Sequence, residues 1–360
     1  MDSKDTINGT AIVLTNGWLN NIHGKTAHGL LRGSKRFQIL GIIDPKYAGK
    51  DAGEVLDGKP LGIKVFKNIE EFLKKQSPKP KYCIVGVAVH GGRLPDSLRV
   101  EIIQAMRNGI SVVSGLHSFL IDDPEFRQIA ADSKLELIDV RKPRPTSYLN
   151  FWTGKIYSVK TPRIAMLGTD CAIGKRTTGQ FLVEECRRNG IRTEMIYTGQ
   201  TGWMQGHKHG FIFDATVNDF ISGEIERVIT ECEKESSPDL ILIEGQSSLR
   251  NPTGPCGSDI LLCGDVKGVI LQHAPGRKYF DGMESFNGLI PPVEEEIQLI
   301  RMYGAKTLAV TLSEEKSDND EITTYQTELI QKLSIPVVRP LKEGVVNLLP
   351  AIRDFMAGNK

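Results

Sequence analysis

The run Gly168-Thr169-Asp170-Cys171-Ala172-Ile173-Gly174-Lys175-Arg176-Thr177-Thr178 follows directly on the apolar stretch Ile164-Ala165-Met166-Leu167. Together they read as a strand, a phosphate-binding loop and the start of a helix. Glycines let the backbone turn its N–H groups inward, the helix points its positive dipole end at the same place, and Lys175 adds a full charge. The whole of 168–178 is therefore a cofactor-binding candidate, and Lys175 a catalytic one. The common loop has four residues between its first Gly and the Gly-Lys pair, with Ser or Thr after the Lys. Here Gly168 stands one residue early and Arg176 holds the hydroxyl's place, so Thr177 or Thr178 would have to serve a metal ion. A plain Gly-rich turn with a solvated lysine would not need the apolar strand before it and the amphipathic segment after it.

A second run, Asp239-Leu240-Ile241-Leu242-Ile243-Glu244-Gly245-Gln246, ends a buried strand in a carboxylate. Open α/β sheets bind ligands along that edge. Glu244, with Thr177, is the metal candidate, because magnesium prefers hard oxygen ligands; the competing reading is a carboxylate that caps nearby N–H groups. Thr198-Gly199-Gln200-Thr201-Gly202-Trp203 lies where a switch or substrate loop would fall, and Gln200 and Gln246 are substrate-binding candidates. Asp214 and Asp219 flank Val217-Asn218, where one could assist the metal or both could cap the helix through Phe220, Ile221 and Ile225. Gln272-His273-Ala274-Pro275-Gly276-Arg277 brings an imidazole and a guanidinium to the same edge. His273 and Asp214 join Glu244 as acid–base candidates, and Arg277 suits a substrate carboxylate. Gly245-Gln246-Ser247-Ser248-Leu249 lacks the closing glycine of a serine-hydrolase elbow, which argues against acyl-serine chemistry.

The 360-residue chain is long for one core, so two domains are expected. Apolar runs at 11–14, 37–43, 82–88 and 111–113 alternate with helical patterns and predict a Rossmann-like domain over 1–145. Its helices are expected at Ile69–Lys75, with Asn68 as N-cap, and at Asp96–Arg107, ending at Asn108-Gly109. Asp44 ends the second strand where dinucleotide domains place a ribose-binding acid, but the turn Thr15-Asn16-Gly17-Trp18-Leu19-Asn20 has no G-x-G-x-x-G. Val140-Arg141-Lys142-Pro143-Arg144-Pro145 opens an extended connector, with the linker at 146–160. Strands at 163–167, 192–197, 240–243, 268–272, 307–311 and 337–338 predict a P-loop NTPase-like domain over 161–360, again mainly parallel. Its first helix turns Phe181, Leu182 and Cys186 inward and stops at Asn189-Gly190. Residues 313–321 read as a charged loop or helix start.

With 45 basic and 44 acidic residues, the charge balance offers no footprint for nucleic acid. Residues 1–5 carry no targeting pattern and no apolar run approaches ~20 residues, so no membrane association and a cytoplasmic location are expected. Six scattered cysteines argue for reduced thiols, with Cys171 inside the loop a small packing residue. Apolar sheet faces suggest a homo-oligomer.

The GTD opening of the loop resembles the dethiobiotin synthetase branch of P-loop proteins. Across nearly the whole chain the sequence resembles the DUF1611 family, associated with D-glutamate N-acetyltransferase. The resemblance rests on Gly24-Lys25-Thr26-Ala27-His28-Gly29-Leu30-Leu31-Arg32, on Asp44 with Ala48-Gly49-Lys50-Asp51-Ala52-Gly53-Glu54, on Gly91-Gly92-Arg93-Leu94-Pro95 and on Ser114-Gly115-Leu116-His117-Ser118-Phe119-Leu120. It continues through the 168–175 loop, Glu244-Gly245-Gln246 and His273-Ala274-Pro275-Gly276-Arg277. It implies a Rossmann-like and a P-loop domain, and acetyl transfer from acetyl-CoA to the amine of D-glutamate. The chain departs from the family at Ser247-Ser248-Leu249-Arg250-Asn251-Pro252, where a His-bearing run is usual. Coenzyme A carries phosphates that such a loop could hold as readily as ATP. The first expectation is N-acylation of a small acidic amino acid; the rivals are an ATP- and magnesium-dependent ligase or kinase and a nucleotide-binding protein without turnover.

Overall fold

The computed structural model describes residues 7–358, so the stretch 1–5 read for targeting lies outside the described residues. The chain divides into two compact units, one running up to Pro143 and including Gln200–His207, the other made of Arg144–Gly199 and the chain from Lys208 onward.

The first unit holds six strands: β1 (Gly9–Leu14), β2 (Phe37–Ile43), β3 (Val65–Phe66), β4 (Tyr82–Val85), β5 (Ser111–Ser114) and β6 (Leu137–Asp139). They are parallel, in the order β3-β2-β1-β4-β5-β6. That is the doubly wound order of a Rossmann-like sheet. Ala11, Ile12, Val13 and Leu14 are all buried, as expected of a central parallel strand covered on both faces. Helix Ile69–Lys75 starts where the Asn68 side chain accepts from Glu71 N at 2.9 Å. Helix Asp96–Arg107 buries Leu98, Ile102 and Met106, leaves Ile103 half-buried, and gives way at Asn108 to Gly109 with φ 70°. Asp44 is fully buried. Its carboxylate accepts from Thr15 Oγ1 (2.7 Å), Leu19 N (3.1 Å) and Lys46 N (3.0 Å), so it closes its own turn.

A short helix, Gln200–Gln205, completes this unit although its sequence neighbours belong to the other. Gln205 Nε2 donates to Gly29 O at 2.8 Å, and Arg36 lies over the Trp203 ring. A Cβ on Gly29 would sit 2.5 Å from Thr201 Cγ2, so glycine is what permits this approach.

The second unit holds β7 (Arg163–Gly168), β8 (Thr193–Tyr197), β9 (His209–Gly210), β10 (Leu240–Glu244), β11 (Gly268–His273), β12 (Lys306–Leu312) and β13 (Val337–Val338). The order is β13-β12-β11-β7-β10-β8-β9, all parallel. Alternation along β7 divides its side chains between two cores. Ile164 and Met166 pack with Leu182, Val183 and Cys186 of helix Lys175–Arg188 and with Ile352 and Phe355 of helix Leu349–Ala357. Ala165 and Leu167 face the cluster of Ile225, Val228 and Ile229 from helix Asn218–Ser236. Each buried aliphatic side chain contributes about 1.5–3 kcal/mol relative to exposure, and this central strand is anchored from both faces.

Neither Asp214 nor Asp219 caps helix Asn218–Ser236. Its N-cap is Val217, without a side-chain cap, and Asp219 lies within the first turn. In the 313–321 stretch the helix begins at Asn319 behind a capping box formed by Asp318 and Glu321. Among the described residues no helix is long and apolar enough to cross a membrane.

Candidate functional site

Three adjacent strands of the second unit deliver the site. β7 sets Met166 opposite Glu244 of β10 and Gly168 opposite Gln272 of β11. Their carboxyl ends therefore open on one edge of the sheet, the ligand-binding side of open α/β folds.

From that edge the loop 168–174 leads into the 14-residue helix Lys175–Arg188. Ala172 (φ 52°) and Gly174 (φ 99°) adopt left-handed backbone, the geometry that turns successive amides to one side and forms an anion-binding hollow. Among the described residues none accepts a hydrogen bond from the N–H of Ala172, Ile173 or Gly174. These open donors fit a phosphate group, and the helix dipole reinforces them. Lys175, 7% exposed, folds over the loop and donates from Nζ to Asp170 O (2.5 Å) and Ser247 O (2.7 Å). Gly168 makes room for its stem, since a Cβ there would lie 2.8 Å from Lys175 Cδ.

The loop is braced from behind. Asp170 is fully buried and accepts from Asn251 Nδ2 (2.9 Å), Arg277 Nη1 (2.8 Å) and Asp281 N (2.9 Å). Arg277 also donates to Cys171 O (2.8 Å) and Glu315 Oε2 (2.7 Å). Charges this deeply buried persist only when paired and hydrogen-bonded, so the pair works as a clamp on the loop. Thr169 N donates to Gln272 O at 3.0 Å, and Thr169 Oγ1 meets His273 Nδ1 at 2.9 Å. Gln272 Oε1 accepts from both Thr178 (2.8 Å) and Thr311 (2.6 Å). Burial pushes the His273 imidazole down to about 4, opposed by the Glu294 carboxylate, so the ring is neutral at neutral pH.

Beside the loop, Glu244 is buried and fully engaged. Arg176 Nη2 lies 2.6 Å from Oε1, while Thr198 N donates to Oε2 at 3.1 Å. Gln246 Nε2 donates to Thr198 O at 2.8 Å, and Phe213 N reaches the same carbonyl at 2.9 Å. Asp214 follows as an exposed carboxylate on the single turn Phe213–Ala215. Burial pushes the neighbouring Cys256 thiol up to about 11, with Asp259 and Asp214 adding to the rise and Lys175 opposing it. Asp214 directly follows the residue whose N–H binds the Thr198 carbonyl, the same carbonyl that Gln246 reaches.

The structure brings together the loop 168–178, Asp214, Glu244, Gln246, His273 and Arg277. Gln200 belongs to the first unit, where its Cγ lies 2.6 Å from the position a Cβ of Gly115 would take. Asn251, Gln272 and the Ser247 carbonyl are members that motif reading passed over. Gln272 carried a signal, because a polar side chain at the end of a buried apolar strand contributes little to packing. Of the magnesium candidates, Glu244 is already engaged by Arg176 and by Thr198 N, Thr178 donates to Gln272, and Thr177 is half-buried in the first turn of helix Lys175–Arg188.

A family model described as "Domain of unknown function (DUF1611_C) P-loop domain" matches residues 150–349, and one described as "Domain of unknown function (DUF1611_N) Rossmann-like domain" matches residues 45–143. The chain is 30% identical over 274 residues to a D-glutamate N-acetyltransferase of Pseudoalteromonas sp, covering 75% of this chain and 80% of that one. It is 28% identical over 280 residues to a D-glutamate N-acetyltransferase of Tritonibacter scottomollicae, covering 76% and 81%. In three dimensions it resembles the crystal structure of a DUF1611 family protein from Anabaena variabilis ATCC 29413, with TM-score 0.86, 26% identity, and coverage of 96% of this chain and 100% of that one.

Proposed function

This chain belongs to the DUF1611 family, and from that footing and the loop's geometry we propose that it transfers an acetyl group from acetyl-CoA to the amine of a small acidic amino acid, D-glutamate first among those to be tried. The observation that carries the reading is the row of open N–H donors at Ala172, Ile173 and Gly174, with Lys175 beside them on the carboxyl edge of the sheet. Relatives named for this transfer supply the reaction class.

Acetyl-CoA, when bound, would supply a thioester carbonyl at which the free amine forms an amide bond as the C–S bond breaks, releasing CoA as a thiolate that takes up a proton. The loop amides and Lys175 hold phosphate and so position the carrier. An amino acid arrives as its ammonium form and must lose a proton before it can attack, so a base is needed near the loop. Asp214 suits that task because its carboxylate is exposed and can pass the proton to water. His273 and Arg277 are held inside the protein, and in this reading they fix Thr169 and Asp170 so that the loop keeps its shape. Gln246, half-buried on the same edge, is the acceptor contact.

Incubation with acetyl-CoA and D-glutamate should yield a product heavier by one acetyl group, read by mass spectrometry. Lys175→Ala should lower kcat/KM for acetyl-CoA by about 10- to 100-fold, the loss of a charge-assisted contact. Asp214→Asn should lower kcat by about 100-fold or more with little change in KM for acetyl-CoA. Unmodified D-glutamate, or full activity in Lys175→Ala, overturns the assignment.

A further inference from the structure

In most phosphate-binding loops the residue after the lysine carries a hydroxyl that, with a strand-end carboxylate, holds magnesium against the phosphates. Here that residue is Arg176, and its guanidinium already sits on the strand-end carboxylate, Nη2 to Glu244 Oε1 at 2.6 Å. The pair is sheltered, with side-chain exposures of 20% for Arg176 and 3% for Glu244. The second Glu244 oxygen is taken by Thr198 N. A divalent cation could reach this carboxylate only by expelling the guanidinium or by lying beside it, and like charges in a sheltered site repel strongly.

Two further observations concern what Arg176 itself is free to bind. Its Nε is buried and has no hydrogen-bond partner, a donor left over after the Glu244 contact. Buried donors without partners are rare and costly, and this one lies two residues beyond the row of open loop amides. Gly199 also makes room for the guanidinium to pack beside Glu244, since a Cβ there would come within 3.2 Å of Arg176 Nη2 and 2.8 Å of Gln246 Nε2. A planar fork with a donor to spare is suited to a phosphate oxygen.

We propose that Arg176 is the built-in cation of this loop, neutralising the diphosphate of the carrier in place of magnesium, with Glu244 as the counter-ion that orients it. The proposal rests on the reading of the loop as a phosphate anchor and goes beyond it by making that anchor metal-independent. Glu244 on this account is a positioning residue for Arg176.

Calorimetric titration of the full chain with CoA, in EDTA and again in excess magnesium, tests it directly. Wild type should bind CoA with the same affinity in both buffers. In EDTA, Arg176→Ala should lose about 10- to 100-fold in affinity and Arg176→Lys should recover part of the loss, since a charge-assisted contact of this kind is worth about that factor. Arg176→Thr should gain affinity when magnesium is added, because the hydroxyl then stands in the metal-binding position. Wild-type binding that appears only with magnesium, or unchanged binding by Arg176→Ala, overturns the proposal and leaves the anchor reading standing. If wild type binds neither CoA nor ADP in either buffer, the anchor reading falls and this inference falls with it.

Discussion

His273 shows how burial changes what a side chain can do. It is 6% exposed, hydrogen-bonded to Thr169, and tilted against the Tyr325 ring at 5.7 Å. Removal from water holds its pKa at about 4, against 6.5 for an ordinary histidine. The unfolded chain therefore takes up a proton at this position before the folded one does. Stability from keeping the ring neutral is complete above pH 6.5 and drains away as the pH falls from there towards 4, by at most about 1.4 kcal/mol per pH unit. His273→Gln retains a hydrogen-bonding group but cannot titrate. Its melting temperature should accordingly fall less steeply than that of wild type between pH 6.5 and 4, and parallel slopes would show that the ring is not kept neutral by the fold. The same logic of confinement applies to Asp170. Three of its donors come from distant parts of the chain, so the acidic residue that marks the loop in sequence is spent inside the protein as a brace.

Strand, loop and helix together make the proposed anchor, and they also explain which parts of the molecule could be read in advance. β7, β10 and β11 were legible because parallel strands covered on both faces leave unbroken apolar runs, and the helix after the loop was legible from its inward residues and its Asn189-Gly190 stop. β3 and β9, two residues each, are too short to show any period. Helix Gln200–Gln205 escaped because every residue in it is buried, so no polar face marks it, and its partners at Gly29 and Gly115 lie far away along the chain. Asn251 escaped for the same reason, since its contact with Asp170 spans 81 positions. The loop makes its own demand on β7: Gly168 must lack a side chain for the Lys175 stem to pass. Gly168→Ala should weaken CoA binding by displacing that stem. If this is the mechanism, the change should add little once Lys175 is already alanine, because the two substitutions remove one interaction. A double-mutant cycle by calorimetry measures this, and simple additivity of the two losses would separate Gly168 from the lysine.

The two units carry separate hydrophobic cores, one gathered around β1 and β4 and the others on the two faces of the sheet centred on β7. The 168–178 loop, β7 and helix Lys175–Arg188 all belong to the second unit. Binding to the folded state raises stability by mass action, about 2.7 kcal/mol at a ligand concentration 100 times the dissociation constant. That gain is felt by whatever must unfold for the ligand to be lost. Local opening of a protein proceeds in cooperative segments, each with its own free energy, so the stabilisation should be unequal along the chain. Hydrogen exchange followed by mass spectrometry, with and without saturating CoA, reads this out directly. Slower exchange is expected in β7, in the loop amides of Ala172, Ile173 and Gly174, and in helix Lys175–Arg188, while β1 and β4 of the first unit should change little. Protection concentrated instead in β1 and β4 would place the phosphate-bearing ligand in the Rossmann-like unit, where Asp44 already closes its own turn, and the anchoring role of the 168–178 loop would have to be given up.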